Sequence, residues 1–338
     1  MDYILTLIIP VILVFCVLYG NRKLSSQDAF MNKDFTTVLK GACCIIVILV
    51  HIPLTYSNKI QDSIGSFAYV GVTLFFLVSA YGMNVSANHN SDYLHNFWRN
   101  RLSSLLIPQL VLNVFVFALS LTNVDIKGKS SLLTLVTVNS YVIVLLQYCL
   151  WFYLVSLGKR FYGSHVLNLL LIGGVVVSSL LMYFCFGAKG WCYERWGLIW
   201  GILLFLFMSQ VKRLIKLKVW KVLLWGFLSL ILGIMYLKFK SVFFYGEYLL
   251  KIVLGLIIII FLFVLSSQRK FGNRIINFLG DISYEVYLSH GFIIYLLKNF
   301  TPDLSSGIFI LLTVSLTIVF STLIYYIDRP IVKLCRKK

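Results

Sequence analysis

Acidic residues are scarce in this chain of 338 residues: twelve Asp and Glu stand against thirty Lys and Arg. Charged residues of both signs make up only 12% of it, too few to coat a soluble domain of this length. Proline is equally sparse, with five in all. No Gly/Ser-rich or charge-block tract interrupts the chain, so no linker or separate soluble module is expected. Missing too are a Gly-rich phosphate cradle, a GxSxG elbow and a His-rich metal set. No metal site and no permanently bound cofactor is therefore expected. The seven cysteines show no ligand spacing. Cys43 and Cys44 read as small hydrophobes within a helix. Cys185 and Cys192 flank a short loop and are placed to pair if that loop faces an oxidising compartment.

What the chain does contain is apolar: 60% of its residues are hydrophobic, and its mean hydropathy is +0.91. Runs of about 17 to 25 apolar residues recur, each able to cross a ~30 Å hydrocarbon core. They are continuous rather than alternating, which argues against a β-barrel. The expected fold is all-α, a polytopic transmembrane bundle of about eleven spans: 3–19, 38–57, 67–85, 103–121, 143–158, 165–186, 191–209, 220–237, 244–265, 278–298 and 306–327. The fifth rests on the weakest pattern. Residues 131–147 are an alternative short segment at the outer surface.

The formal charge of +18 would suggest nucleic acid as partner in a soluble chain. In a membrane chain it reads as the positive-inside rule, and no nucleic acid is expected. Basic residues crowd the loops 20–40, 86–102, 159–164, 210–219 and 266–277 and the C-terminus, whereas the alternate loops hold few: Lys59, Lys127, Lys129, Lys189, Lys238 and Lys240. The first apolar run follows Asp2 without a basic leader and precedes Arg22 and Lys23. It is therefore expected as a retained helix with its N-terminus outside. The C-terminus is then cytoplasmic, and the chain is expected in a plasma or inner membrane, in contact with lipid.

One stretch carries an ionisable group at depth. Phe35 to Asn58 reads as a single spanning helix with His51 near its middle and Lys40 at its inner boundary. They are eleven residues apart, roughly 16 Å along a helix and on one face. A mid-membrane imidazole is costly unless it faces protein or water. Pro53, two residues on, is expected to loosen the local ladder. A second histidine, His290, is expected at similar depth on a helix running the same way. The two point to a shared polar cavity. Ser283, Tyr287 and His290 fall on one stripe, and Glu285, off it, needs another partner. On the third span, Gly71, Phe75, Ser79 and Gly82 share a face suited to close packing. Ser79 and Tyr81 are further candidates to line the cavity. Arg99 and Arg101 interleave with Phe97 and Trp98 before a membrane entry. Guanidinium forks suit phosphates, and the rings suit stacking on a base.

In order, these segments resemble the acyltransferase 3 family of integral-membrane acyltransferases. Lys40 and His51 stand where the family carries an arginine, ten residues, then a histidine. The run from Gly71 to Tyr81 is similar to its GVxLFFxxSG pattern. Arg99, Arg101 and Pro108 match its arginine-rich segment ending in proline, and Trp151-Phe152 its Trp-Phe pair beginning a later helix. Leu279 to His290 matches LGxISYxxYLxH, and Asp328-Arg329-Pro330 the terminal acidic-Arg-Pro. The chain departs at Lys40, Ser104, Ala80 and Asp328, where Arg, Arg, Gly and Glu are usual. The resemblance implies a domain over 34–330 with a ten-helix core. It leaves an additional N-terminal helix and inner loop over 1–33 and a basic cytoplasmic tail over 331–338. No appended hydrolase-like domain is expected. It further implies transfer of an acyl group, commonly acetyl, from cytoplasmic acyl-CoA to a carbohydrate or lipid-linked acceptor. Lys40, Arg99 and Arg101 would hold the donor, and His51 would act as general base or acyl carrier. His290, Tyr287 and Ser79 would orient groups or stabilise the oxyanion. The competing reading is a proton-coupled transporter or flippase for a glycan or small solute, using the same histidines.

Overall fold

The computed structural model describes residues 2–24, 26–27, 29–90, 92–121, 132–187 and 190–336. Lys127, Lys129, Lys189, Lys337 and Lys338, counted among the loop and tail charges, lie outside the described residues.

The chain is almost wholly helical. In order, the helices are α1 (Asp2–Leu18), α2 (Lys33–Val50), α3 (Lys59–Gly65), α4 (Ala68–His89), α5 (Phe97–Ser120), α6 (Leu133–Val136), α7 (Ser140–Leu157), α8 (Ser164–Phe186), α9 (Trp196–Leu206) and α10 (Met208–Ile215). They continue with α11 (Val219–Phe239), α12 (Leu250–Ser266), α13 (Arg274–Asp281), α14 (Ser283–Phe300) and α15 (Ser306–Arg336). Four of them are capped by an asparagine side chain. Asn32, Asn58, Asn139 and Asn273 each turn a side-chain oxygen onto a backbone N–H of the first turn, satisfying a donor that has no partner within the helix. The only strands among the described residues are Arg22–Lys23 and Arg269–Lys270, paired antiparallel.

The outside of the bundle is as apolar as its inside. On α11 only Gly233 and Tyr236 are buried, while Leu223, Phe227, Leu230 and Ile234 lie exposed. Lipid, not water, is the solvent such a face requires. This is a helical membrane protein. Each expected span falls on a helix, yet seven helices among the described residues are long and apolar enough to cross a membrane. The number is eight if α9 and α10, bent by 97° at Phe207, form one span. The expectation of eleven thus exceeds what length and composition support. Among those that fall short are α2 and α14, the two helices that carry or abut the histidines.

Close approaches at glycine fix the packing around them. A Cβ on Gly41 would meet the Gly280 backbone at 2.8 Å, and one on Gly280 would strike the Thr37 carbonyl, so α2 and α13 touch backbone to backbone. Gly71 brings α4 onto Cys43 of α2, as its place on a small-residue face suggested.

Several expectations change. The helix through Phe35–Asn58 stops early: α2 ends at Val50, and His51 is its C-cap, with φ −94° and ψ 0°. Pro53 is the cause. It has no N–H for the Leu49 carbonyl, and its ring disfavours a helical Ile52. The side-chain amide of Gln61 on α3 donates to that carbonyl instead. The span expected over 278–298 is likewise broken at Ile282 between α13 and α14. Trp151-Phe152 lies inside α7, not at its start. Residues 331–336 of the expected tail continue α15. Cys185 and Cys192 are both free; Cys185 is exposed, whereas Cys192 is buried with its Sγ turned to the Gly187 carbonyl.

Candidate active site

The two histidines meet. The ring centroids of His51 and His290 lie 4.6 Å apart with the planes at 58°. α2 and α14 converge here because α13, which leads into α14, is pinned against the first half of α2. In each ring Nδ1 faces the backbone carbonyl four residues earlier: Val47 at 2.9 Å for His51 and Val286 at 3.3 Å for His290. A carbonyl only accepts, so Nδ1 carries the proton, and in the neutral ring Nε2 keeps its lone pair. His51 is exposed and His290 buried. The pair thus presents one accessible base backed by a second. Tyr287 completes it, its ring 5.7 Å from His290 and 4.6 Å from Tyr141 of α7. Ser283 bonds back to the Gly280 carbonyl at 2.8 Å, where it steadies the α13–α14 break.

Three helical turns away, Lys40 sits among other charges. It lies within the electrostatic range of Asp281, Glu285 and Arg329. Arg336, in turn, feels Arg101 and Arg329. Three elements, α2, α5 and α15, therefore gather Lys40, Arg101, Arg329 and Arg336 at one end of the bundle. Arg101 is braced by the Tyr93 hydroxyl at 2.8 Å, and Arg329 lies 4.7 Å over the Tyr325 ring. Glu285 lies within the electrostatic range of Asp328 of α15. Both carboxyl groups are buried.

Not every candidate joins the group. Arg99 is exposed and bonds to Asn96 at 2.8 Å; two residues from Arg101, it points to nearly the opposite side of α5. Phe97 is fully buried and stacked on Phe152, so it is core rather than a platform for a base. α4 runs antiparallel to α2 with Gly71 beside Cys43. Ser79, eight residues further along α4, is displaced about 12 Å toward the Lys40 end. Tyr81 lies further still. Both lie toward and past the Lys40 end rather than at the histidine level.

The arrangement offers a base for a hydroxyl at one level and cations for an anionic group at another. The profile of the acyltransferase domain family matches residues 34–326. The chain belongs to the acyltransferase 3 family. The matched residues contain both histidines, Lys40 and Arg101, and stop just before Asp328 and Arg329. No curated protein and no solved structure gives a match. The domain is that of a membrane acyltransferase, and α1 lies outside the matched residues. Arg329 and Arg336 were not singled out from the sequence as donor-site residues. Their spacing of seven puts them on one face of a helix, a signal that was available. A groove of about 400 Å³ lies elsewhere, between α1, α2 and α12. It is lined by apolar side chains such as Val14, Leu39 and Leu262, and neither histidine borders it.

Proposed function

We propose that this protein is an integral-membrane O-acyltransferase. It moves an acyl group, acetyl in the simplest case, from cytoplasmic acyl-CoA to a hydroxyl of a cell-surface or lipid-linked carbohydrate. What supports this reading is an accessible imidazole at His51, beside His290, with four cations gathered near Lys40 three turns earlier on the chain. Lys40, Arg101, Arg329 and Arg336 suit the phosphates of a nucleotide-linked donor. A flexible thioester arm then spans the ~16 Å of helix to His51.

The chemistry follows from the tautomer. Nε2 of His51 takes the proton of the acceptor hydroxyl as its oxygen attacks the thioester carbonyl. The C–S bond breaks, and the departing CoA thiolate takes that proton from the imidazolium. The products are an O-acyl ester and free CoA thiol, and no metal or redox partner is required. Val47 holds the ring by Nδ1 through the whole exchange. The Tyr287 hydroxyl is the donor for the oxyanion, and His290, with a lone pair on Nε2, orients the groups beside it.

The test uses membranes with and without the protein, supplied with radiolabelled acetyl-CoA. Label should pass to a glycan fraction only when the protein is present, and His51→Ala should abolish it. Label-free glycans with the wild type, or full labelling with His51→Ala, would refute the assignment. Flux of an unmodified solute without any acyl donor would point to the transporter instead.

A further inference from the structure

At the end of the bundle away from Lys40, a second polar cluster lies buried. Tyr193, Glu194 and Arg195, in the turn before α9, pack against Tyr69 at the start of α4 and Lys251 at the start of α12. The Lys251 ammonium is 4.0 Å from the Tyr193 ring centroid and 6.0 Å from that of Tyr69. The two rings meet edge to face at 5.5 Å. Glu194 is 7% exposed and Tyr69 9%, yet Glu194 Oε2 and the Tyr69 hydroxyl have no hydrogen-bond partner. The only ion pair within 4.0 Å among the described residues is Lys270–Asp34, so Lys251 does not close onto Glu194. Leaving such groups buried and unbonded is costly.

The cluster is joined to the histidines by a ladder of rings. Trp191 lies 6.2 Å from Tyr141, Tyr141 4.6 Å from Tyr287, and Tyr287 5.7 Å from His290. Tyr287 also lies within the electrostatic range of Glu194. Trp191 is held at φ +53°, a left-handed conformation that is unfavourable for a bulky residue. Arg195 fixes it there, donating from Nε to the Trp191 carbonyl at 3.0 Å and from Nη2 to Gln147 at 3.1 Å.

We propose that Tyr69, Tyr193, Glu194 and Lys251 form the acceptor subsite and take a neutral, hydroxyl-rich sugar ring, whose acylated hydroxyl reaches the histidines along Tyr287. The proposal rests on the acyltransferase reading above. A carboxylate acceptor, an ammonium donor and a phenol around aromatic faces match a ring that has hydroxyls on its rim and C–H groups on its face. The opposite charges of Glu194 and Lys251 offset each other, which favours a neutral ring over an anionic one.

The experiment is a fluorescence titration in detergent, with Trp191 and Trp196 as reporters. The probes are the methyl glycosides of glucose, galactose, N-acetylglucosamine and rhamnose, and separately acetyl-CoA. At least one glycoside should quench saturably. Glu194→Gln and Lys251→Met, each checked for monodispersity, should weaken it about fivefold, the loss of one hydrogen bond. Acetyl-CoA affinity should stay within twofold in both. No saturable glycoside in the wild type, or variants that bind it as tightly as the wild type, would overturn the subsite. Failure of the enzymatic reading shows differently: glycoside binding and its loss in the variants would persist while no radiolabel moves from acetyl-CoA.

Discussion

The imidazoles of His51 and His290 stand 4.6 Å apart, although one closes α2 and the other lies within α14. Neither helix would bring its histidine there alone. The Gly41–Gly280 contact sets α13 against α2, and the chain then turns at Ile282 so that α14 rises beside the end of α2. Both rings spend Nδ1 on a carbonyl of their own helix, which leaves Nε2 of each outside that bond.

That geometry assigns unequal roles. His51 is the exposed member and His290 the buried one. Replacing His51 by Ala removes the base and should lower kcat by about 10²- to 10⁴-fold. His290→Ala should cost less, and His290→Asn less again, since Asn retains a donor. Steady-state kinetics on monodisperse protein check the order. Equal losses at the two positions would contradict it.

On the proposed reading, the cation cluster holds the donor. Lys40→Ala and Arg329→Ala should each raise the KM for acetyl-CoA on the order of tenfold, the loss of one charge-assisted contact, with a smaller effect on kcat. Arg99→Ala should leave that KM unchanged, because Arg99 points away to Asn96. A titration of rate against acetyl-CoA at two salt concentrations makes the distinction. An Arg99 effect as large as that of Lys40 would show that the phosphates bind elsewhere.

Gly280 tests the packing that creates the site. A methyl there would run into the Thr37 carbonyl, backbone that cannot step aside. Gly280→Ala should cost about 1–3 kcal/mol by overpacking and lower the thermal midpoint in detergent. Gly82→Ala, at a position with nothing within 4 Å, should be neutral. Equal midpoints for the two variants would argue that α2 and α13 are free to part.

Much of this was legible in the sequence. The continuity of the apolar runs announced a bundle of helices. Glu285, off the stripe, needed a partner from elsewhere, and Asp328 of α15 comes within its electrostatic range. The rest was not local. Ser79 shares a face with Gly71 by period, but only the antiparallel contact of Gly71 with Cys43 reveals how far toward Lys40 it lies. Arg329 and Arg336 join Arg101 from the other end of the chain. The cluster around Glu194 draws on α4, α9 and α12, and no spacing within any one of them announces it. The break at Val50 was half-visible: Pro53 signalled a loosened ladder, whereas the donor that replaces the lost bond comes from a different helix.

That replacement yields the sharpest prediction. Leu49 is buried, and its carbonyl is bonded by the Gln61 side chain because residue 53 has no N–H to give. Gln61→Leu should leave the oxygen with only the long 3.5 Å bond from the Ile52 N–H and cost about 1–3 kcal/mol. Pro53→Ala supplies an N–H at the right position and lets α2 continue past His51. In the double variant the helix should satisfy Leu49 by itself, so the two stability changes should fail to add, with the double more stable than Gln61→Leu alone. Activity should behave in the opposite sense. Extending α2 moves His51 from a cap into a helical turn and swings its ring from His290, so Pro53→Ala and the double variant should both turn over slowly, though one is well folded. Thermal midpoints and kcat on the four proteins decide it. Strictly additive midpoints, or full activity in Pro53→Ala, would mean that the early end of α2 is not what sets the histidine pair.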